Sequence, residues 1–460
     1  MQIPVLSGIY TDTDARFRVS YPVNLVPVPT SNGIGNLYLR PVEGLAELAT
    51  TPGLDRGGIN WNGVCYRVIG TNLVSVAADG VQTTLGAIPG TDRVVMTYSF
   101  DRLAIKANED LYYYDSGTGV TQVTDPDLGT VLDVLWVDGY FMTTDGEFIV
   151  VTDLSDPYAV NPLKYGSSEV DPDPVVSIIK IRNEPHAINR YTIEVFDNLG
   201  GDLFPFQRIE GAQITKGAVG THACCEFENA IAFLGSGRNE PLGIHLGYNG
   251  QSVKISTNDI DKILKDFTEA ALTETVVESR IDNAHRYLYV HLPDRTLIYD
   301  AGATQAIGSP VWFIVTSASV DYAQYQARNF VWAYDKWIFG DPTANRLGTF
   351  DNGASSHYGT DVRWEFGTAI FYNNGQGAVF HELELIALDE SSAETTINTS
   401  HSFDGQTYSP DAPVTAGNGK RISWRRQGKM RQWRTQRFTG DTSAKMSFAA
   451  LEARLEPLMF

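Results

Sequence analysis

A strand–turn–strand unit recurs along most of this 460-residue chain and restricts its fold more than any other feature. It is read in "NGVCYRVIGTNLVSVAADG" (62–80), "SFDRLAIKANEDLYYYDSGTG" (99–119) and "VDGYFMTTDGEFIVVTDLSDP" (137–157). Further copies are "FENAIAFLGSGRNEPLGIHLGYNG" (227–250), "DNAHRYLYVHLPDRTLIYDAG" (282–302) and "YDKWIFGDPTANRLGTFDNG" (334–353). Each sets two aromatic or β-branched segments on either side of a turn rich in Asp, Asn or Gly. Several second strands end in one step: Tyr114–Asp115, Thr152–Asp153, Tyr299–Asp300, Phe350–Asp351. Strand-only repeats at roughly 35–50 residues are the signature of β-propeller blades, small antiparallel sheets that must stack to bury both faces. The expected fold is therefore mainly β, with a propeller of six or seven blades over residues 58–353.

The flanks read differently. Residues 1–57, including the proline-rich "YPVNLVPVPTSNG", suggest an extended N-terminal arm with one or two strands. From 354 to 460 the apolar runs lengthen, as in "DVRWEFGTAIFYNNGQGAVFHELELIAL", which predicts an additional C-terminal β-rich domain. Near 256–274, Ile260, Ile263, Leu264 and Phe267 follow helical spacing, and Ser256 with Asp259 resembles a capping box. That predicts a helical insertion, either packed on the propeller's side or presented to a neighbouring subunit.

The hairpin "RYLYVHLPDRTLIYD" (286–300) tests for chemistry, because it concentrates histidines and aspartates. In an extended strand Leu288, Val290 and Leu292 face one way, and His285, Tyr287, Tyr289 and His291 the other. Six residues separate the two histidines, about 20 Å, whereas zinc ligands converge within ~2 Å of one ion. The reading is a structural hairpin turned at Pro293–Asp294, with Leu297 and Tyr299 joining the apolar face. Thr296, Ile298 and Asp300 join the other, and His285 and Asp300 become diagonal neighbours.

Other signatures fail on spacing. HExxH, CxxC and G-x-S-x-G do not occur, "AGNGKR" (416–421) lacks the rest of a phosphate loop, and "NGIG" (32–35) lacks a third glycine. "SFDGQTYSPD" (402–411) approaches an aspartate box, a turn-forming motif, with Asp404 abutting Gly405. No catalytic, cofactor-binding or metal residues are assigned, and no cofactor is expected. The cysteines, Cys65, Cys224 and Cys225, offer no spaced framework and are expected to be free thiols in a reducing cytoplasm. The N-terminus does not read as a signal peptide and no run reads as a membrane span, so membrane insertion is not expected.

Charge gives the remaining signal. The net charge is −20, with 55 acidic against 35 basic side chains, yet residues 420–438 hold eight Lys or Arg and no acid. Arg421, Arg425, Arg426, Lys429, Arg431, Arg434 and Arg437 surround Trp424 and Trp433 in "KRISWRRQGKMRQWRTQRF". Two readings stay open: contact with an acidic partner or DNA phosphates, or an internal strand neutralising turns such as "DPDLG" and "EVDPDP". The acidic surface likewise suits either plain solubility or a passage to which DNA does not adhere.

Several motifs in order, "YPVN", "LYLRPVEGL", "FIVVTDLSDP", "YLYVHLPDRTLIYD" and "ISWRRQGKMRQWR", together resemble the packaged-DNA stabilisation proteins of short-tailed bacteriophages. These are tail accessory factors of the tail hub or nozzle class. The resemblance implies a structural virion protein without enzymatic activity, located in the virion tail and assembled in the host bacterial cytoplasm. It implies a homo-oligomeric ring, taken as a hexamer, below the portal and its adaptor ring. Such a ring closes the channel on the packaged double-stranded DNA, which passes through its lumen, and attaches the needle or plug and the tailspikes. A carbohydrate-binding or depolymerase propeller of the tail is the competing reading, with aromatic side chains stacking on sugars and carboxylates as acid and base. A scaffold for protein contacts outside phage is the third.

Overall fold

Antiparallel sheets follow one another along the chain at 55–87, 95–122, 133–167, 175–208, 217–254 and 276–315. A seventh joins Arg328–Ala333, Lys336–Gly340 and Arg346–Asp351 to Gly44–Thr50, a strand from the opposite end of the chain. This computed structural model describes residues 2–3, 21–30, 34–154, 156–201, 203–373, 376–389 and 393–458. The first strands of the sheets stand beside one another in a closed cycle, running from Asp55–Trp61 through Val276–Asp282 and Arg328–Ala333 back to the start. The sheets are thus the blades of a seven-bladed propeller, each laid out from the axis to the rim. Left-handed pairs make the tight hairpins between strands: Asn62–Gly63, Asp138–Gly139 and Asn249–Gly250 all have positive φ at both positions.

Stacking buries both faces of each blade, which the hairpin at 286–300 illustrates. Its register pairs Tyr287 with Asp300, Tyr289 with Ile298 and His291 with Thr296. Leu288, Val290, Leu297 and Tyr299 pack towards the fifth blade, whereas Tyr287, Tyr289 and Ile298 pack towards the seventh. The face with the histidines is therefore an inter-blade face. His285 Nδ1 lies 2.5 Å from Asp300 Oδ2, the expected diagonal pair, and His291 Nδ1 lies 2.9 Å from Thr296 Oγ1. Asp300 also caps a helix that the sequence reading missed, α3 (Ala301–Ile307 in chain order after the two below), by accepting from Ala303 N.

The helical insertion is two short helices, α1 (Asn258–Lys265) and α2 (Glu269–Leu272). Thr257, not Ser256, is the N-cap of α1, because the Ser256 hydroxyl is engaged with Asp261 and Ile244 N. Ile260 and Leu264 are buried with Leu292 and Leu297 of the sixth blade, which places α1 on the propeller's side.

Of residues 1–57, expected as an arm, residues 1, 4–20 and 31–33 lie outside the described ones, and the remainder divides among two bodies. Leu25–Pro29 and Leu37–Pro41 join a C-terminal sandwich, while Gly44–Thr50 and Asp55–Trp61 belong to the propeller. One sandwich sheet runs Leu25–Pro29, Leu37–Pro41, Met446–Pro457, Ala378–Asp389, Ile422–Arg425. The other runs Arg363–Gly367, Trp433–Asp441, Thr395–Ser402, Ala412–Ala416. Between them lie Trp364, Phe366, Phe380, Trp424, Phe438 and Phe448. The arm reading failed because both strand pairings lie far away in sequence, and short proline-containing segments carry no trace of a distant partner.

The "YPVN" segment fastens the two bodies. Val23 pairs with Glu365 of the sandwich and with Ile314 of the sixth blade. Asn24 adopts a left-handed backbone (φ 52), which asparagine tolerates. Its side chain donates to Thr316 O (2.9 Å) and Arg363 O (2.7 Å) and accepts from Thr316 N (3.0 Å). Removing it leaves several buried backbone groups unpaired at ~1–3 kcal/mol each. Asn24→Ala is expected to destabilise the chain by about 3 kcal/mol. Calorimetry should then show two separated transitions where the wild type shows closer coupling.

Candidate functional site

The basic segment divides once it is placed on strands. Ile422–Arg425 is the outermost strand of its sheet, four strands from Leu25–Pro29, and a short pair at Lys429–Met430 continues that edge. Arg434 lies on Trp433–Asp441 inside the sandwich and is fully buried. Its guanidinium donates to Gln427 O and Gln436 Oε1 and lies 4.3 Å from the Phe380 ring centre, and burial pushes it down to about 10. It remains cationic at neutral pH and holds the sandwich together. Alternation was the available signal: Arg434, Gln436 and Phe438 share a face, and Phe438 is a core residue.

The others point outwards. Arg421 is paired with Glu384, whose carboxyl it holds below the usual range, and Arg425 lies 3.9 Å from Glu382. Arg437 lies 3.9 Å from Asp411 and over the Tyr408 ring at 4.1 Å. The neutralising carboxylates are thus sandwich residues rather than the "DPDLG" and "EVDPDP" turns. Arg426, Lys429 and Arg431 are exposed, with no ion pair recorded among the described residues. Tyr372 (62% exposed) sits beside them, because Phe371–Tyr372 pairs with Arg434 and Trp433. The result is a cationic, aromatic rim near the Trp433 end of Trp433–Asp441, remote from the end paired with Arg363, which meets the propeller.

The propeller axis holds a cavity of about 260 Å³ lined by first-strand residues, among them Arg93, Asp133, His222, Cys225 and Glu278. Glu278 accepts from the backbone N–H groups of Asn329 and Phe330, each at 2.9 Å. Burial opposes its charge, but His291, Arg93 and these N–H donors hold its carboxyl at about 2. Asp133 behaves oppositely: burial pushes it up to about 6 although Ser177 Oγ and Ile178 N donate to it. Burial also raises the Cys224 thiol to about 12, so it is not nucleophilic at neutral pH. All three cysteines are free. A void of this size cannot admit a duplex whose major groove alone is ~12 Å wide.

A larger cleft, about 460 Å³, opens between the two bodies beside Tyr21, Asp259, Arg295, Tyr322, Glu365 and Tyr408. Guanidinium groups already cover two of its tyrosine rings, Arg295 over Tyr322 at 3.9 Å and Arg437 over Tyr408, and Tyr21 is buried. Asp404, in the box-like motif, accepts from Gln406 and Thr407 N–H groups, so it forms a turn. Among the described residues no group of three or more His, Cys, Asp or Glu is placed to hold a metal ion. Among the same residues no helix is long and apolar enough to cross a membrane.

Two family models meet where the chain passes from the last propeller strand into the C-terminal sandwich strands. "Bacteriophage P22 Gp10, beta-propeller" matches residues 1–355 and "Bacteriophage P22 Gp10, beta-sandwich" matches 363–456. The chain belongs to the phage P22 Gp10 family. A curated Gp10 relative, the tail hub protein gp10 of Salmonella phage P22, is 25% identical over 490 aligned positions covering 99% of each chain. Solved structures similar to this chain include the Neurospora crassa Pan2 WD40 domain, with TM-score 0.45 and 10% identity over 67% of this chain and 96% of that one. The designed protein Ika8 has TM-score 0.41 and 12% identity over 76% and 99%.

Two measurements check these assignments. Arg434→Ala is expected to lower stability by about 3 kcal/mol, while the triple alanine variant at Arg426, Lys429 and Arg431 stays within about 0.5 kcal/mol of wild type in denaturant titrations. Asp133 retains a proton in the fold that the unfolded chain releases between pH ~4 and ~6. Its contribution to stability therefore falls as pH rises through that window, by an amount on the order of 2–3 kcal/mol. Melting curves of Asp133→Asn against wild type should show the decline removed in the variant.

Proposed function

We propose that this chain is the tail hub of a short-tailed phage, a structural protein that acts by assembly rather than by turnover. The carrying observation is the match of both family models to the two bodies, together with a full-length relative whose name is tail hub protein. In this reading the chain forms a six-membered ring below the portal and its adaptor ring. The ring retains the packaged DNA and offers attachment to needle, plug and tailspike proteins. A rigid seven-bladed body with a sandwich on one side suits side-by-side packing in such a ring. Since the axial cavity is far narrower than a duplex, DNA passes through the space enclosed by the ring of chains rather than through any one propeller. The surplus of acidic side chains suits that lumen, because like charge keeps the duplex from adhering.

The test is depletion of this chain during infection. Particles assembled without it are expected to fill and then lose their DNA, read as nuclease-sensitive genome, and to lack spikes in negative-stain images. Particles that hold DNA and carry complete tails in its absence overturn the reading. A glycan-cleaving activity of the purified chain would instead favour the depolymerase alternative.

A further inference from the structure

The two bodies give the molecule two dissimilar ends. The sandwich meets the propeller at the junction of the sixth and seventh blades: Val23 bridges Ile314 of the sixth, and Val26 shares a buried cluster with Phe339 of the seventh. In both sandwich sheets the strand nearest this junction, Leu25–Pro29 or Arg363–Gly367, lies at one edge. The opposite edges, Ile422–Arg425 and Ala412–Ala416, adjoin each other, with Trp424 Nε1 donating to Ala412 O. The Arg363 end of the second sheet meets the propeller, whereas Phe371–Tyr372 pairs with Arg434 and Trp433 at the other end of the neighbouring strand, so Tyr372 with Arg426, Lys429 and Arg431 lies at the end of the sandwich strands remote from the junction.

Each of seven blades takes ~51° of the ring, so the third blade lies half a turn from the sixth–seventh junction. Its outermost strand, Val160–Ser167, is unlike a protected rim strand. Leu163 and Tyr165 are 62% and 50% exposed, and no strand pairs with its outer edge among the described residues. Phe148 stacks edge-on against Tyr165 at 5.1 Å. Phe204, from the fourth blade, lies over Gly166, where a Cβ would come within 2.3 Å of its ring. Leu199 and Leu203 flank Phe204 and are also exposed. Exposed apolar side chains along an unpaired rim strand mark an interaction surface. Its surroundings are acidic: residues 145–173 hold seven Asp or Glu and one Lys, with Asp145, Glu147, Asp156 and Glu169 exposed.

We propose that these ends pair between copies of this chain: the cationic sandwich rim of one copy seats on the third-blade patch of the next. The occupant is a second copy because one chain carries both complementary halves, an apolar strip in acidic surroundings and a cationic rim bearing an exposed tyrosine. Because the two surfaces differ, the contact is head-to-tail, and such contacts close into rings or run on as filaments rather than stopping at dimers. This rests on the hub reading and deepens it by naming the surfaces between neighbours.

The test uses assembled tails. A Leu163→Cys/Arg426→Cys double variant treated with a short bis-maleimide is expected to give a ladder of linked oligomers on denaturing gels, and each single variant only monomer. Variant chain present in particles at wild-type level without a ladder overturns the contact and leaves the hub reading intact. Absence of the wild-type chain from tails overturns the hub reading, and the contact falls with it. Charge reversal gives an independent readout. Arg426→Glu/Lys429→Glu/Arg431→Glu and Glu147→Lys/Glu169→Lys should each lower incorporation into particles about tenfold, and both sets in one chain should restore it to within about twofold. Failure of the combination to restore incorporation, or no effect of either set, overturns the pairing.

Discussion

The pairing of Gly44–Thr50 with Arg346–Asp351 is the contact on which the rest depends. A ring of blades leaves one seam, where the last blade meets the first. Without the early strand the seventh blade would lack its outermost strand and expose a full row of backbone donors and acceptors at its rim. Side chains reinforce the junction from within. Asp55 and Arg67 of the first blade form a buried two-point ion pair at 2.7 Å, and Asn329 of the seventh donates to the same carboxylate at 2.7 Å. Gly340 is required there, because a Cβ would come within 2.3 Å of Asp55. Breaking a buried pair by removing one partner costs ~3–5 kcal/mol, so the seam is held by groups that cannot be exchanged singly.

Closure also fixes the relation of the two bodies. The chain starts in the sandwich, crosses at Pro22–Asn24, returns through Leu37–Pro41, closes the propeller and comes back to the sandwich at Arg363. The propeller is in effect an insertion between two sandwich strands. Two crossings, stitched by Asn24 and by the buried Arg280–Glu43 pair between the sixth blade and the linker, orient the sandwich on one side of the ring. That orientation is what sets the basic rim and the third-blade patch at opposite ends.

The blades were legible because each hairpin is a local object: alternation, Asn-Gly turns and strand-ending aspartates all act within some twenty residues. The faces of the hairpin at 286–300 and its His285–Asp300 diagonal followed from period two alone. The closing strand and the two sandwich strands near the N-terminus were not legible, because their partners lie at the far end of the chain. Helix α3 escaped because "AGATQAI" has no apolar stripe; its cap is the aspartate that also ends a strand. For the basic segment, composition located the charge but could not tell which side each residue faces. Arg434 therefore looked like its neighbours although it is a core residue, and only Arg426, Lys429 and Arg431 stay exposed without recorded ion pairs.

Nesting the propeller between sandwich strands governs when the molecule becomes competent. Leu37–Pro41 pairs with Met446–Pro457, and Gly44–Thr50 waits for Arg346–Asp351. On the ribosome the propeller cannot close until Arg346–Asp351 has been made, and the sandwich must wait for Met446–Pro457. The blades between can form early, as local hairpins do, while the long-range closures come last. The cationic rim is built on Ala378–Asp389, which is itself held by Met446–Pro457, so the rim becomes rigid only once that strand is in place. Nascent chains thus carry an unfinished rim, and the synthesis of Met446–Pro457 times its completion.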